Sequence, residues 1–389
     1  MPVSPLSKNK SASIQAQIDN KTKPIGALGL LEPLALQLAL ICQHRDELHH
    51  VGRDGSHFND IPNVKVSLKK PTMLVFAGDH GINEANLSIA PSTVTKQMVL
   101  NFLQGGAAIN CFCQSNSIDL TVVDCGVLAP LTESEVPVFE GENLLKASFI
   151  EQRLGAGSQD FSKAPAMTME QLNQGFVFAE QLVNEKIKQG VEVLLLGEMG
   201  IANTSSAAAL MSALTSFDVE QCVGRGTGIS DEQLQKKIAL IEQSLARVLM
   251  PKITAESFTT EQVLSVLAEL GGFEIVQMVS AILTSATARV PVVIDGFIVS
   301  VAALVAARLD KNVVNYLIFS HVSQEKAHQI LLDELLAQQS FTQQTCQPLL
   351  NLGLRLGEGT GAALALPLIQ AAASFYNDMA SFESAGVTV

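Results

Sequence analysis

The chain has no tryptophan and only two tyrosines among its 389 residues, with aromatics at 5%. A stacking platform for unpaired bases is therefore missing. Positive charge is also scarce: Lys+Arg 25 against Asp+Glu 38 leaves −13, too acidic for a groove that neutralises a phosphate backbone. Together these absences exclude nucleic acid as a partner. The six cysteines (Cys42, Cys111, Cys113, Cys125, Cys222, Cys346) form no C-x-x-C. In a chain this long without an export signal they read as reduced thiols, which places the protein in the cytoplasm. Residues 1–13 are polar, lack the apolar run of a signal peptide and read as a frayed terminus. The most apolar stretch, Val290 to Ala307, is interrupted by Pro291, Asp295 and Gly296. It reads as a buried strand, a turn and a buried helix, and no membrane span is expected.

What is present is a large apolar inventory, 47% hydrophobic against 16% charged residues, enough to bury a sizeable core. Such a length suits roughly two to three domains, or one large domain with an accessory piece. Short aliphatic runs end abruptly in small and polar residues: Met73–Phe76 before Asp79 and His80, Leu120–Val123 before Asp124, and Val191–Leu196 before Glu198. Val290–Ile294 before Asp295 and Gly296, and Val313–Phe319 before Ser320 and His321, follow the same grammar. Continuous apolarity marks strands covered on both faces, and the segments Thr95–Cys113, Met169–Lys188 and Asp231–Leu249 have helical period. The expected class is α/β, a Rossmann-like parallel sheet flanked by helices. Ligands of such sheets sit beyond the carboxyl ends of the strands, which makes the polar punctuation a candidate site. The competing reading is that each Asp or Gly there simply forms a turn or helix cap.

Residues His44 to Lys70 carry four histidines (His44, His49, His50, His57) at spacings that match no zinc pattern and read as a solvated loop. Ile14–Cys42 reads as two helices broken at Lys23–Gly29, and the sequence after Phe341 again looks helical. The two ends are expected to form a smaller helical unit, residues 1–43 and 341–389, around a catalytic domain at 44–340.

Glycine-rich turns recur at Val223–Gly228, with Gly226 and Gly228, and at Leu356–Ala362. A third segment runs from Gly197 through Met199 and Gly200 into Asn203 and Thr204 at the head of an alanine-rich helix. Closely spaced glycines let backbone N–H groups approach an anion, and a phosphate is the natural guest. No G-x-x-x-x-G-K-[ST] or G-x-G-x-x-G is present, which argues against a P-loop NTPase and against a standard dinucleotide-binding oxidoreductase. Glu358, flanked by Gly357 and Gly359 in apolar surroundings, should have a raised pKa suited to a general base, and Glu198 has a similar setting. The bland alternative pairs each with Arg225, Arg355 or Lys237.

At these motifs the sequence resembles the nicotinate-nucleotide–dimethylbenzimidazole phosphoribosyltransferase family. Asp19–Gly29, Phe76–Gly81, Val94–Val99 with Gln97, Gly105–Asn110, Gly197–Gly200, Val223–Gly228, Gly271–Ile275, Asp295–Phe297 and Leu354–Leu366 with Leu356 follow the family's order along nearly the whole chain. The resemblance implies a homodimer, and the loss of a pyridinium base, with no zinc-ligand spacing in the chain, calls for no cofactor and no metal; a Mg²⁺ site at Asp79, Asp124 and Asp295 is the disfavoured alternative. The resemblance also implies transfer of phosphoribose from nicotinate mononucleotide to 5,6-dimethylbenzimidazole, giving α-ribazole 5′-phosphate with inversion at the anomeric carbon. Glu358 maps to the family's general base, Glu198 and Lys237 to its supporting groups. The substrate-binding set is expected to be Asp79, His80, Gln97, Met199, Gly200, Asn203, Thr204, Gly226, Gly228, Asp295, Gly296, Ser320, His321 and Leu356. Two departures stand out: Glu325-Lys326-Ala327-His328 where the family has Glu-Pro-Gly-His, and Ala202 where it has glycine before Asn-Thr. A non-catalytic binder of nucleotide or benzimidazole would share the cradles but has little reason to bury a carboxylate against an apolar slot.

Overall fold

Continuous apolar runs need cover on both faces, and the sheet they build has it. The computed structural model describes residues 2–49, 64–136, 147–226, 228–248, 258–341 and 347–388. Its strands are β1 (Thr72–Gly78), β2 (Asp119–Gly126), β3 (Ser148–Glu151), β4 (Leu194–Met199), β5 (Val292–Ile294) and β6 (Leu317–Phe319). They form a six-stranded sheet in the order β3-β2-β1-β4-β5-β6. Every pairing is parallel, and β1 at the centre is buried along its whole length.

In chain order the helices are α1 (Lys8–Asp19), α2 (Leu31–His49), α3 (Thr93–Gln104), α4 (Ala108–Ser115), α5 (Met169–Lys188), α6 (Asn203–Leu214) and α7 (Val219–Cys222). They continue with α8 (Asp231–Val248), α9 (Thr260–Leu270), α10 (Phe273–Thr287), α11 (Phe297–Leu309), α12 (His328–Leu336), α13 (Thr360–Asp378) and α14 (Phe382–Ala385). Met73 of β1 meets Gly359 at the head of α13, whereas Gly78, at a position of opposite parity, meets Glu274 of α10. Side chains alternate across a strand, so α13 and α10 cover opposite faces of the sheet. α5 and α11 pack beside α10, and α4 beside α13. The outer edge of β6 is closed by Gln37 and Gln339, whose side-chain amides donate to the Leu317 carbonyl at 2.8 and 3.1 Å. With the Leu349 N–H on the Phe319 carbonyl at 3.2 Å, these bonds occupy acceptors on the edge where another strand would pair.

The expected class is what the chain adopts, with differences that have physical causes. The amino end is not frayed: Val3 and Leu6 are buried, and the Val3 N–H donates to Asp310 at 2.8 Å. α2 runs on through His44, whose ring bonds the Tyr316 hydroxyl at 2.9 Å, so the start of the expected loop is helix as far as His49. His50, His57 and Cys346 lie outside the described residues. Thr95–Cys113 is two helices, because Gly105 turns left-handed (φ +85°) and ends α3. β3 had no apolar signature because it is a half-exposed edge strand. Lys311–Tyr316 forms a 3₁₀ turn, so β6 starts later than the apolar run does. Among the described residues no helix is long and apolar enough to cross a membrane.

The two ends of the chain meet, since α2 packs on both α1 and α13. Asn377 ties α13 to the approach of β1 by bonding both the N–H and the carbonyl of Val66, at 2.9 and 2.8 Å. This brings the loop ahead of α13 over the carboxyl ends of β4 and β5.

Candidate active site

Between β1 and β4 the strand order reverses, and the loops that leave them part to form a crevice. A cleft of about 290 Å³ opens there. β4 and the turn after it supply Glu198, Met199, Gly200, Asn203 and Thr204, while α8 supplies Lys237. Gly226, Gly296, His321, Leu356 and Glu358 complete the expected residues that line it.

Glu358 reaches this place through an unusual backbone. Gly357, Glu358 and Gly359 all have positive φ (80°, 64° and 86°), a turn that costs the non-glycine residue about 1–2 kcal/mol. The turn lies directly on β4: a Cβ on Gly197 would sit 2.6 Å from the Gly359 nitrogen, and one on Gly357 would sit 2.5 Å from Glu198 Oε1. Glycine at these positions is therefore what lets the two carboxylates share one small space. Asp295, buried at the end of β5, accepts from the N–H groups of Gly359 (3.0 Å) and Ala362 (3.1 Å).

Neither glutamate is ion-paired with a described residue. Glu198 accepts from the Asn203 amide, and the Glu358 carboxylate bonds no described residue. Two of the alternative partners are engaged elsewhere: Arg225 pairs with Asp231, and Lys237 donates to Thr204 Oγ1 at 2.8 Å. Burial, reinforced by Asp295, pushes Glu358 up to about 7 and Glu198 to about 8. Burial also brings Lys237 down to about 8, against the pull of Glu325. Groups whose pKa values crowd neutrality in one cleft are the expected mark of acid–base work.

Other expected residues do not line the cleft. Asp79 is spent on structure: it accepts from Thr95 Oγ1 (2.6 Å) and the Leu128 N–H (2.7 Å). The same Thr95 oxygen accepts from the Ile201 N–H at 3.2 Å, which anchors the turn after β4. His80 is fully buried between Glu274 (2.8 Å) and Ser206 (3.0 Å); burial opposes its charge, but Glu274 outweighs it and the pKa rises. Asp124 bonds Arg153 (2.8 Å) and the Gly126 and Val127 N–H groups, a strand-end turn. Asp295 lies behind the wall, and Ser320 supports His321 Nδ1 at 2.9 Å. Gly228 and Gln97 are exposed outside the lining.

Residues not singled out as ligands also border the cleft. Leu87, Ile89 and Val94 form an apolar wall with Phe297 and Ile298 facing it from α11. Apolar residues in the loop before α3 were the signal for the first group. Arg225, Arg355 and Glu325 stand where the cleft joins a polar side chamber of about 530 Å³. The helices α6 and α11 both begin at the cleft without a side-chain cap; at α6 the Asn203 and Ser205 N–H groups bond the Gly200 and Ala202 carbonyls, which leaves the head of α11 as the one more open to an anion. Ala202 precedes α6 in the left-handed region (φ +74°), which explains why glycine suits this position.

The profile of a family described as phosphoribosyltransferase matches residues 3–387. The nicotinate-nucleotide–dimethylbenzimidazole phosphoribosyltransferase of Vibrio campbellii (strain ATCC BAA-1116) is 51% identical over 99% of this chain and 100% of its own. The enzyme of that name from Shewanella frigidimarina (strain NCIMB 400) is 51% identical over 97% of this chain and 95% of its own. A crystal structure of such an enzyme from Thermus thermophilus is similar at a TM-score of 0.81 and 34% identity, covering 98% of this chain and 99% of that one.

Proposed function

The chain belongs to the nicotinate-nucleotide–dimethylbenzimidazole phosphoribosyltransferase family, and from that premise we propose how its cleft works. The enzyme transfers the 5-phosphoribosyl group of nicotinate mononucleotide to 5,6-dimethylbenzimidazole, giving α-ribazole 5′-phosphate and nicotinate for the nucleotide loop of cobalamin. The observation that carries the residue assignment is the buried Glu358, without an ion-pair partner among the described residues, beside Glu198 at the rim of an apolar slot. A ligand-binding protein with no reaction to run gains nothing from that costly arrangement.

In this reading a benzimidazole nitrogen attacks the anomeric carbon as the bond to the pyridinium breaks. The bonding pair goes to the pyridine nitrogen, so the leaving ring departs neutral and needs no acid. The incoming ring becomes cationic, and Glu358 removes the proton from its other nitrogen. Burial and Asp295 push Glu198 to about 8 and Glu358 to about 7, so Glu358 is the more readily ionised of the two near neutrality. Glu198, in its ionised form, stabilises positive charge developing on ribose and base. The open head of α11, with Gly200, Thr204 and Gly296, suits the phosphate, and Lys237 adds charge beside Thr204. Leu87, Ile89, Val94 and Leu356 suit the dimethyl ring. Positioning supplies much of the rate, worth roughly 7–11 kcal/mol in favourable cases.

The same reading makes the two chain ends one small unit and the protein a cytoplasmic homodimer. Exposed Ile25 (77%) and Leu352 (60%), outside the cleft, support pairing, because apolar surface of this kind favours burial. The test is incubation with nicotinate mononucleotide and 5,6-dimethylbenzimidazole, with detection of nicotinate and α-ribazole 5′-phosphate. Failure to release nicotinate from the intact protein would refute the proposal.

A further inference from the structure

Backbone bonds tie Leu349, Leu350 and Leu354 to the end of β6 and the chain after it, but the turn that carries Glu358 is joined to the end of β5 through one side chain. Asp295 ends β5, is 1% exposed, and lies 64 and 67 residues from the two groups it binds. One carboxylate oxygen takes the Gly359 N–H at 3.0 Å and the other the Ala362 N–H at 3.1 Å. It thereby serves as the remote cap of α13 and the clamp of the left-handed turn at once. Within the turn itself, Thr360 donates to the Gly357 carbonyl at 2.7 Å, a bond that closes the turn but does not attach it to β5. A glutamate at positive φ persists only when its surroundings over-determine it.

Resting on the reading of Glu358 as the base, we propose that Asp295 is the positioning residue of that base: it holds the turn against the end of β5 and never touches substrate. Its charge has a second consequence, since it lies close enough to favour the protonated form of both glutamates. The other charged or titratable groups around Glu358 are Glu198 on β4, Lys237 on α8, His321 after β6, Arg225 and Glu325 on their loops, and Arg355 on its own segment. After burial itself, Asp295 is the group that raises Glu358. His321 Nδ1 stands 3.8 Å from Asp295, held there by Ser320.

The test is Asp295→Asn, measured for kcat and KM across pH. Asparagine removes the charge and can accept through only one of the two atoms. We expect kcat to fall about 10- to 100-fold with KM for nicotinate mononucleotide within about twofold. The acid limb of kcat/KM should move to lower pH by about half a unit or more, because an ionised neighbour has gone. In a Glu358→Gln background the same change should cost no more than about threefold, since it acts through a group already disabled. An equal loss in both backgrounds, or a KM that rises as kcat falls, overturns the proposal. Asp295→Glu keeps the charge on a longer arm and should lose kcat while leaving the acid limb in place. If the asparagine variant does not fold, this second variant decides: parental kcat, or a shifted limb, refutes the tether. Parental activity in Glu358→Gln alone would instead overturn the assignment of the base.

Discussion

Replacing Glu358 by glutamine should yield an enzyme that is much slower and slightly more stable. The side chains are nearly isosteric, and the Glu358 carboxylate bonds no described residue, so the substitution breaks no contact. Turnover loses its proton acceptor, a contribution of about 10²–10⁴, equivalent to about 3–5 kcal/mol at the transition state. Stability moves the other way. Burial and Asp295 raise this carboxyl from 4.5 to about 7 in the folded state. Between these values the unfolded chain is ionised while the folded one keeps its proton, so stability falls as pH rises from 4.5 to 7. The full shift corresponds to about 3 kcal/mol, and solvent screening leaves about 1–3 kcal/mol for glutamine to recover above pH 7. For a chain of this length that is a rise of about 1–4 °C in Tm, which should vanish near pH 4. The assays are nicotinate release under saturating substrates and thermal melts at about pH 4 and 8. Activity within twofold of the parent, or a lower Tm at the higher pH, would refute the assignment.

Lys237→Met should raise KM for nicotinate mononucleotide about tenfold or more. It should also abolish the fall of kcat/KM above about pH 8 that follows loss of the ammonium proton in the parent, as pH-dependent kinetics would show. Light scattering at micromolar concentration should give twice the 41.4 kDa chain mass, and a stable monomer would contradict the proposed dimer. Exhaustive EDTA treatment should leave activity intact, because a pyridinium leaving group needs no Lewis acid and Asp79, Asp124 and Asp295 are each bound to separate partners. Activity lost to the chelator and restored by Mg²⁺ or Zn²⁺ would show that account to be wrong.

Much of the sheet was legible in sequence because a strand covered on both faces must be apolar at every position. The segments of β1, β2 and β5 announce themselves this way, while α5 shows through its helical period. β3 was silent because one pleat of an edge strand meets solvent. The order of family motifs likewise lies in the sequence itself, and so does the chemistry that a glycine-flanked carboxylate can offer.

The division of labour among the acidic residues belongs to the tertiary structure. Asp79, Asp124, Glu198 and Asp295 all stand at or just after the end of a strand, and nothing local distinguishes them. Asp124 meets an arginine and Asp79 a threonine, whereas Glu198 meets the turn that carries Glu358 from the far end of the chain. Asp295, expected to touch substrate, faces instead the backbone of that turn. A pKa depends on which charges and how much water lie within a few ångströms, and that is settled only when segments far apart in the chain pack together. Sequence therefore determined which groups were available and on which elements they sit. Packing decided which of them became cap, clamp or base.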